Sequence, residues 1–115
     1  MSVKVDLDKL ADTLADFRLG YLITVGDDHR AHTVAVVPGF DGDAFIITPV
    51  GNTTARNAQA HPAVTALWPP HEPTGYSLIV DGTAEVDGDQ LRLIPARAVL
   101  HRSPDGVHDC VSFKA

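Results

Sequence analysis

Few of the features that would take this chain outside the ordinary soluble domains are present. It has one cysteine, Cys110, so no intrachain disulfide can form, and that usage fits a reducing cytoplasm. No apolar run approaches the ~20 residues needed to span a bilayer. The opening MSVKVDLDKL lacks the apolar core of a signal peptide. A cytoplasmic protein with no membrane partner is therefore expected. Basic residues are scarce and scattered, nine against fifteen acids, for a formal net charge of −6. Such a field repels a phosphate backbone, which argues against nucleic acid as a partner.

What is there is enough for one folded unit. The 115 residues are 44% hydrophobic and 21% charged, which reads as a single globular domain spanning 1–115. A domain of that size has room for one core but not for a deep private cofactor site. A large cofactor would need a second subunit.

The first 20 residues carry a helical period. Leu7, Leu10, Leu14 and Phe17 share one face, Asp6 is placed to cap the start, and Gly20 follows where a C-cap would sit. An N-terminal helix of about three turns is predicted over 1–20. Beyond Gly20 the period becomes extended. Strands are predicted over Tyr21–Val25, Ala31–Val37, Ala44–Thr48, Ala63–Trp68, Tyr76–Asp87 and Gln90–Arg102, with short polar turns between them. Gly82 reads as a bulge in the fifth strand, and Pro95 as an interruption in the sixth. A short helix is predicted over Thr54–Ala60, capped by Asn52 or Thr53 and stopped by Pro62. Residues 103–115 read as a loose C-terminal tail. Turns this short make an antiparallel meander and exclude the crossover units of a dinucleotide-binding fold. The predicted class is mainly β: a six-stranded antiparallel barrel, closed or partly closed, with an N-terminal helix and one short helix between strands.

Several constellations carry no site. His29 and His32 are the one histidine pair near metal-ligand spacing, and they lack the third and fourth ligands that zinc requires. Asp27-Asp28 and Asp41-Gly42-Asp43 have turn chemistry without the spacing of a calcium loop. His108 and Cys110 have no orienting group that would make a nucleophile pair. The stretch from Ile46 to Asn57 is the informative one. It runs strand, loop, helix start, and a helix start presents unpaired amides and a positive dipole end. Thr53 and Thr54 add hydroxyls there and Arg56 adds a full charge, parts that suit a phosphate. The same residues also serve a plain helix cap and a solvated arginine, and the pattern alone does not separate the two.

The order Thr48-Pro49-Val50-Gly51-Asn52-Thr53-Thr54-Ala55-Arg56-Asn57, then His61-Pro62-Ala63-Val64, then Ala66-Leu67-Trp68, resembles the pyridoxamine 5′-phosphate oxidase-like proteins, the FMN-binding split barrels. The resemblance runs from about Phe17 to Val86. Residues Ile94–Arg102 further resemble a short branch of that family. It implies a homodimer of six-stranded split barrels holding FMN in two interfacial clefts, and a flavin-dependent oxidoreductase as the function. Carried over by position, His32, Thr33, Val34, Ala35 and Val36 would run along the flavin ring, and Ile47 and Thr48 would flank it. Thr53 and Thr54 would take the phosphate with Arg56, while Trp68 and Ser77 would lie nearby. The family's basic pair is replaced by Thr53 and Thr54. Its C-terminal substrate-binding Arg and Trp find no match in Ser103–Ala115, so oxidation of pyridoxamine 5′-phosphate itself is not expected. The deazaflavin F420 in place of FMN, and a ligand-binding or structural dimer without flavin chemistry, stay open as alternatives. The small-molecule substrate is not indicated.

Overall fold

From Gly20 to Val25 every second residue is buried, the mark of a strand with one covered face, and the same alternation recurs through most of the chain. A computed structural model describes residues 2–102. Within them eight antiparallel strands form one sheet: β1 (Ser2–Val5), β2 (Gly20–Val25), β3 (Ala31–Val36), β4 (Gly39–Phe40), β5 (Phe45–Ile47), β6 (Ala63–Trp68), β7 (Ser77–Asp87) and β8 (Gln90–His101). The order is β3-β2-β6-β7-β8-β5-β4, with β1 also on β8. Two α-helices accompany them, α1 (Leu10–Leu14) and α2 (Asn52–Ala60).

The long β7–β8 hairpin is the spine. A two-residue turn with Gly88 at φ 61° sets its register, placing Asp87 opposite Gln90. On its far side β8 meets β5 through Leu91–Leu93 and β1 through Ala98–His101. Gly82 faces Pro95 while Asp81 faces Arg97, so Ala96 is the extra residue of a bulge. The irregularity falls at the predicted Gly82, but its extra residue belongs to β8 rather than to β7, and Pro95 does not break the strand. A bulge tolerates a residue with no N–H to donate.

The inner face of the curled sheet forms the core. Leu22, Ala66, Leu78, Val80, Leu91 and Leu93 are fully buried, and Phe45 lies 5.2 Å from Trp68, ring centre to ring centre. α2 packs across β7 and β2 and sinks Ala58 into the same core. Leu10 closes it from the N-terminal side.

Several expectations need correction. The sheet has eight strands, not six: β1 arises from residues expected in the helix, and β4 from residues expected in a turn. Ser2–Val5 pairs a stretch of β8 whose backbone groups would otherwise be left at an open edge. The sheet is an open curl, the partly closed form of the expected barrel, because β3 and β4 stand at opposite ends without pairing. The N-terminal helix is much shorter than three turns. A 3-10 turn over Leu7–Lys9 leads into α1, which tightens to i−3 bonding at Ala15 and Asp16 and stops. Asp6 makes no side-chain cap bond. Gly20 is no C-cap but the first residue of β2, where a Cβ would lie 2.9 Å from Trp68 Nε1. The predicted tail, with His108 and Cys110, lies outside the described residues.

Candidate functional site

β3 is the edge strand beside β2, and its alternation is shallow. His32, Val34 and Val36 are half-buried, while Ala31, Thr33 and Ala35 are exposed. Its outer edge carries backbone N–H and C=O groups with no strand partner among the described residues. The loop leading to α2 comes alongside that edge. Val50 N–H donates to the Asp89 carbonyl at 2.8 Å, which ties the loop to the β7–β8 turn. The Thr48–Pro49 peptide is cis.

The two segments enclose a groove of about 340 Å³. One wall is His32, Val34, Ala35 and Val36, and the other runs from Pro49 through Thr54. The helix start that faces it is bare. Gly51 is the N-cap, no side chain caps the first turn, and no acidic residue occupies it. The first amide bonded within the helix is that of Ala55, to the Gly51 carbonyl at 3.0 Å, so the amides before it have no intrahelical partner. Nothing lies within 4 Å of where a Gly51 Cβ would project. Asn52 and Thr53 are exposed there, whereas Thr54 is 2% exposed. Neither Asn52 nor Thr53 is the cap that the sequence suggested.

A polar cleft of about 410 Å³ adjoins the groove, lined by the β2–β3 turn on one side and by Thr53, Arg56 and Asn57 of α2 on the other. His32 and Thr53 line both hollows. Asn57 Nδ2 donates to Thr24 Oγ1 at 3.2 Å, which fixes α2 on β2. His61 Nε2 meets Asp27 Oδ1 at 2.8 Å. In the turn, Asp28 Oδ1 accepts the Arg30 N–H at 3.1 Å.

Of the residues expected at a cofactor, six come together on the groove: His32, Val34, Ala35, Val36, Thr53 and Thr54. Arg56 stands beside it on the cleft. Thr33 is exposed in β3 between His32 and Val34, and Thr48 is exposed next to Pro49 without lining the groove. Ile47 and Trp68 point into the core, at 4% and 2% exposure, and the Trp68 ring packs at a tilt against Phe45. Ser77 is half-buried opposite His101 and lines neither hollow. The groove residues that the position-by-position expectation omitted are Pro49, Val50, Gly51 and Asn52. They belong to the strand–loop–helix stretch, and their turn-forming residue types were the available signal. A hollow of about 630 Å³ lies elsewhere, where Phe17 and His71 stack near Tyr76 and Leu100. No predicted cofactor residue lines it. Among the described residues no cluster of His, Cys, Asp or Glu converges to hold a metal ion, and no helix is long and apolar enough to cross a membrane.

No family model matches the chain. Among solved structures, a proposed pyridoxamine 5′-phosphate oxidase from Listeria innocua superposes with a TM-score of 0.71, at 16% identity over 84% of this chain and 98% of that one. An FAD-binding protein from Mesorhizobium loti gives 0.67, at 13% identity over 87% and 96%. An F420 reductase gives 0.58, at 19% identity over 75% and 91%. The fold is therefore the split barrel of the pyridoxamine 5′-phosphate oxidase-like proteins, as the sequence resemblance implied. An uncharacterised protein of Mycobacterium bovis is 44% identical over 135 aligned positions, which cover 96% of this chain and 95% of that protein; a Mycobacterium tuberculosis protein matches equally. The chain belongs to the same family as these mycobacterial proteins.

Proposed function

We propose that the protein is a homodimeric flavin-binding oxidoreductase whose groove between β3 and α2 takes the FMN portion of a flavin-type cofactor. One observation carries this reading: an uncapped, acid-free helix start and an unpaired strand edge face each other across a single groove. A flat heterocycle with alternating donors and acceptors suits the free edge of β3 and the apolar Val34 and Val36 beside it. A phosphate suits the open amides at Asn52–Thr54, the Thr53 hydroxyl and the Arg56 guanidinium. The names of the superposing structures, FAD-binding protein and F420 reductase, point the same way.

When bound, such a cofactor supplies the hydride chemistry, and the protein's part is to bind and orient it. Val50, tied to Asp89, holds the loop on the β7–β8 turn, and α2 aims its positive end into the groove. A second copy would complete the site. The outer face of the sheet places Ala35, Tyr21, Leu67 and Ile79 side by side in register, and Val37 is 78% exposed just past β3. Apolar surface of this kind, beside an open edge, supports pairing of two subunits there. F420 fits the same groove as the alternative head group, since it shares the ring shape and the first phosphate. The substrate is a small molecule not yet identified.

The test is equilibrium titration of the protein with FMN, FAD and F420, followed by absorbance and fluorescence, with sedimentation to count subunits. Micromolar binding by a dimer is expected. Arg56→Ala removes a charge-assisted contact worth about 1.5–3 kcal/mol, which is a loss of about 10- to 100-fold in affinity. Absence of binding by all three, or a monomer at micromolar concentration, overturns the reading.

A further inference from the structure

We infer that the hollow of about 630 Å³ between the end of α1 and the β6–β7 loop is a second small-molecule site, which takes an uncharged ligand of fused aromatic rings. It shares no lining residue with the groove or the cleft, so the inference stands apart from the flavin reading.

The two walls of the hollow are tied together. His71 Nε2 donates to the carbonyl of Asp16, which joins the β6–β7 loop to the segment leaving α1. Each wall is also braced within itself. Phe17 N–H donates to the Leu14 carbonyl at 2.9 Å, and Gly75 N–H to the Glu72 carbonyl at 2.9 Å. These bonds hold the space open, and sites for small molecules are commonly preformed in this way, with volumes of about 300–1,000 Å³. Its surfaces are aromatic. Phe17 and His71 lie 6.0 Å apart, ring centre to ring centre, with planes 20° from parallel. Tyr76 adds a third ring, and Leu100 of β8 adds an aliphatic surface. Phe17 and Leu100 pack on the core, which fixes them in place. A flat ring gains from such faces beyond the area it buries.

Charge around these rings gives no advantage to an ion. Asp16, Glu72 and Arg18 are exposed at the hollow, none of them in an ion pair among the described residues. The Arg102 guanidinium sits 4.7 Å from the centre of the Tyr76 ring. A ligand of either sign is repelled by one pair as it is attracted by the other, and it loses hydration besides. An uncharged ring keeps the stacking without that cost. The Tyr76 hydroxyl can donate to or accept from a hydroxyl or carbonyl on the ligand.

The probe is naphthol, titrated into the full-length protein at neutral pH and followed by NMR shifts. Naphthalene sulfonate and naphthylmethylamine present the same rings with a charge of either sign. Naphthol should bind at about 1 mM or tighter, shifting Phe17, His71, Gly75 and Tyr76 and leaving His32, Gly51 and Thr53 unmoved. Both charged analogues should bind about threefold more weakly or worse. His71→Ala, in the exposed loop, removes one stacking ring and should weaken naphthol about 3- to 10-fold, with FMN affinity held within about twofold. Its melting temperature checks the fold. Tyr76→Leu, which keeps bulk but removes a ring, should weaken naphthol by a similar factor. Absence of shifts at the hollow, a charged analogue binding tighter than naphthol, or a matching loss of FMN affinity in His71→Ala overturns the inference. So do contacts from residues 103–115 to Phe17 or Tyr76 in the free protein, since the chain would then fill the hollow itself. Failure of FMN to bind overturns the flavin reading alone.

Discussion

The curl of the sheet turns at Gly82, and replacing it by alanine tests the β7–β8 register directly. A Cβ there comes within 2.2 Å of the Ile94 carbonyl oxygen, 2.7 Å of Leu93 Cδ2 and 2.9 Å of the Ile94 carbonyl carbon. Two of those contacts are with backbone, so no side-chain rotation relieves them. Nor can β8 simply retreat, since β5 and β1 hold its far side on either flank of the bulge. Overpacking of this kind costs about 1–3 kcal/mol. Opening one or two flanking ladder bonds adds about 1 kcal/mol each. The sum is about 3 kcal/mol, and at about 4–8 °C per kcal/mol for a domain near this size the melting temperature falls by about 12–24 °C. Thermal melts by circular dichroism read the effect. Gly39→Ala is the control, because its Cβ would meet only the Ile46 carbonyl oxygen, at 4.0 Å. It should change stability by less than about 0.5 kcal/mol. A Gly82→Ala protein melting within about 4 °C of wild type would show that the bulge accepts a side chain and that the register is wrong.

Two further perturbations bear on the site and on pH. Asn57→Ala removes the donor to Thr24, which is fully buried, and strands its hydroxyl. The urea midpoint should fall by the equivalent of about 2 kcal/mol with an unchanged slope, and a loss under about 0.5 kcal/mol would mean the contact does not hold α2. Asp41 is held down from 3.8 to about 2 by the backbone N–H groups of Ala44 and Asp43, with Arg92 adding to them. Because the native state prefers the ionised form, that stabilisation is present above about pH 4 and disappears as pH falls toward 2. Melting curves of wild type and Asp41→Asn should therefore differ at neutral pH and converge between pH 4 and 2; parallel curves across that range would refute the linkage.

Much of the fold was legible because it is local. The two-residue alternation, the Gly88-Asp89 turn and the stop at Pro62 each depend on neighbours a few positions apart, β6 stands where the sequence placed it, and the β7–β8 register shifts at Gly82. The N-terminal segment misled for the same reason. Its leucine spacing fits a helix, yet Ser2–Val5 is drawn into the sheet by the open edge of a strand almost a hundred residues away. No local signal reports such a pairing.

The candidate site divides along the same line. The strand–loop–helix stretch and the edge strand could be named from residue types and from resemblance, because helix starts and strand runs write themselves into the sequence. The inward direction of Trp68 and Ile47 could not. Alternation shows that one face of a strand is covered, but a shift of one residue exchanges the faces, and only packing against Phe45 and the rest of the core selects between them. Nor could Arg56 be placed beside the β2–β3 turn, since the cleft that both line exists only once α2 is bonded down onto β2 through Asn57 and Thr24. Sequence alone determined those elements whose causes are short-range. Tertiary structure decided which side chains face one another, because that depends on how distant strands pair.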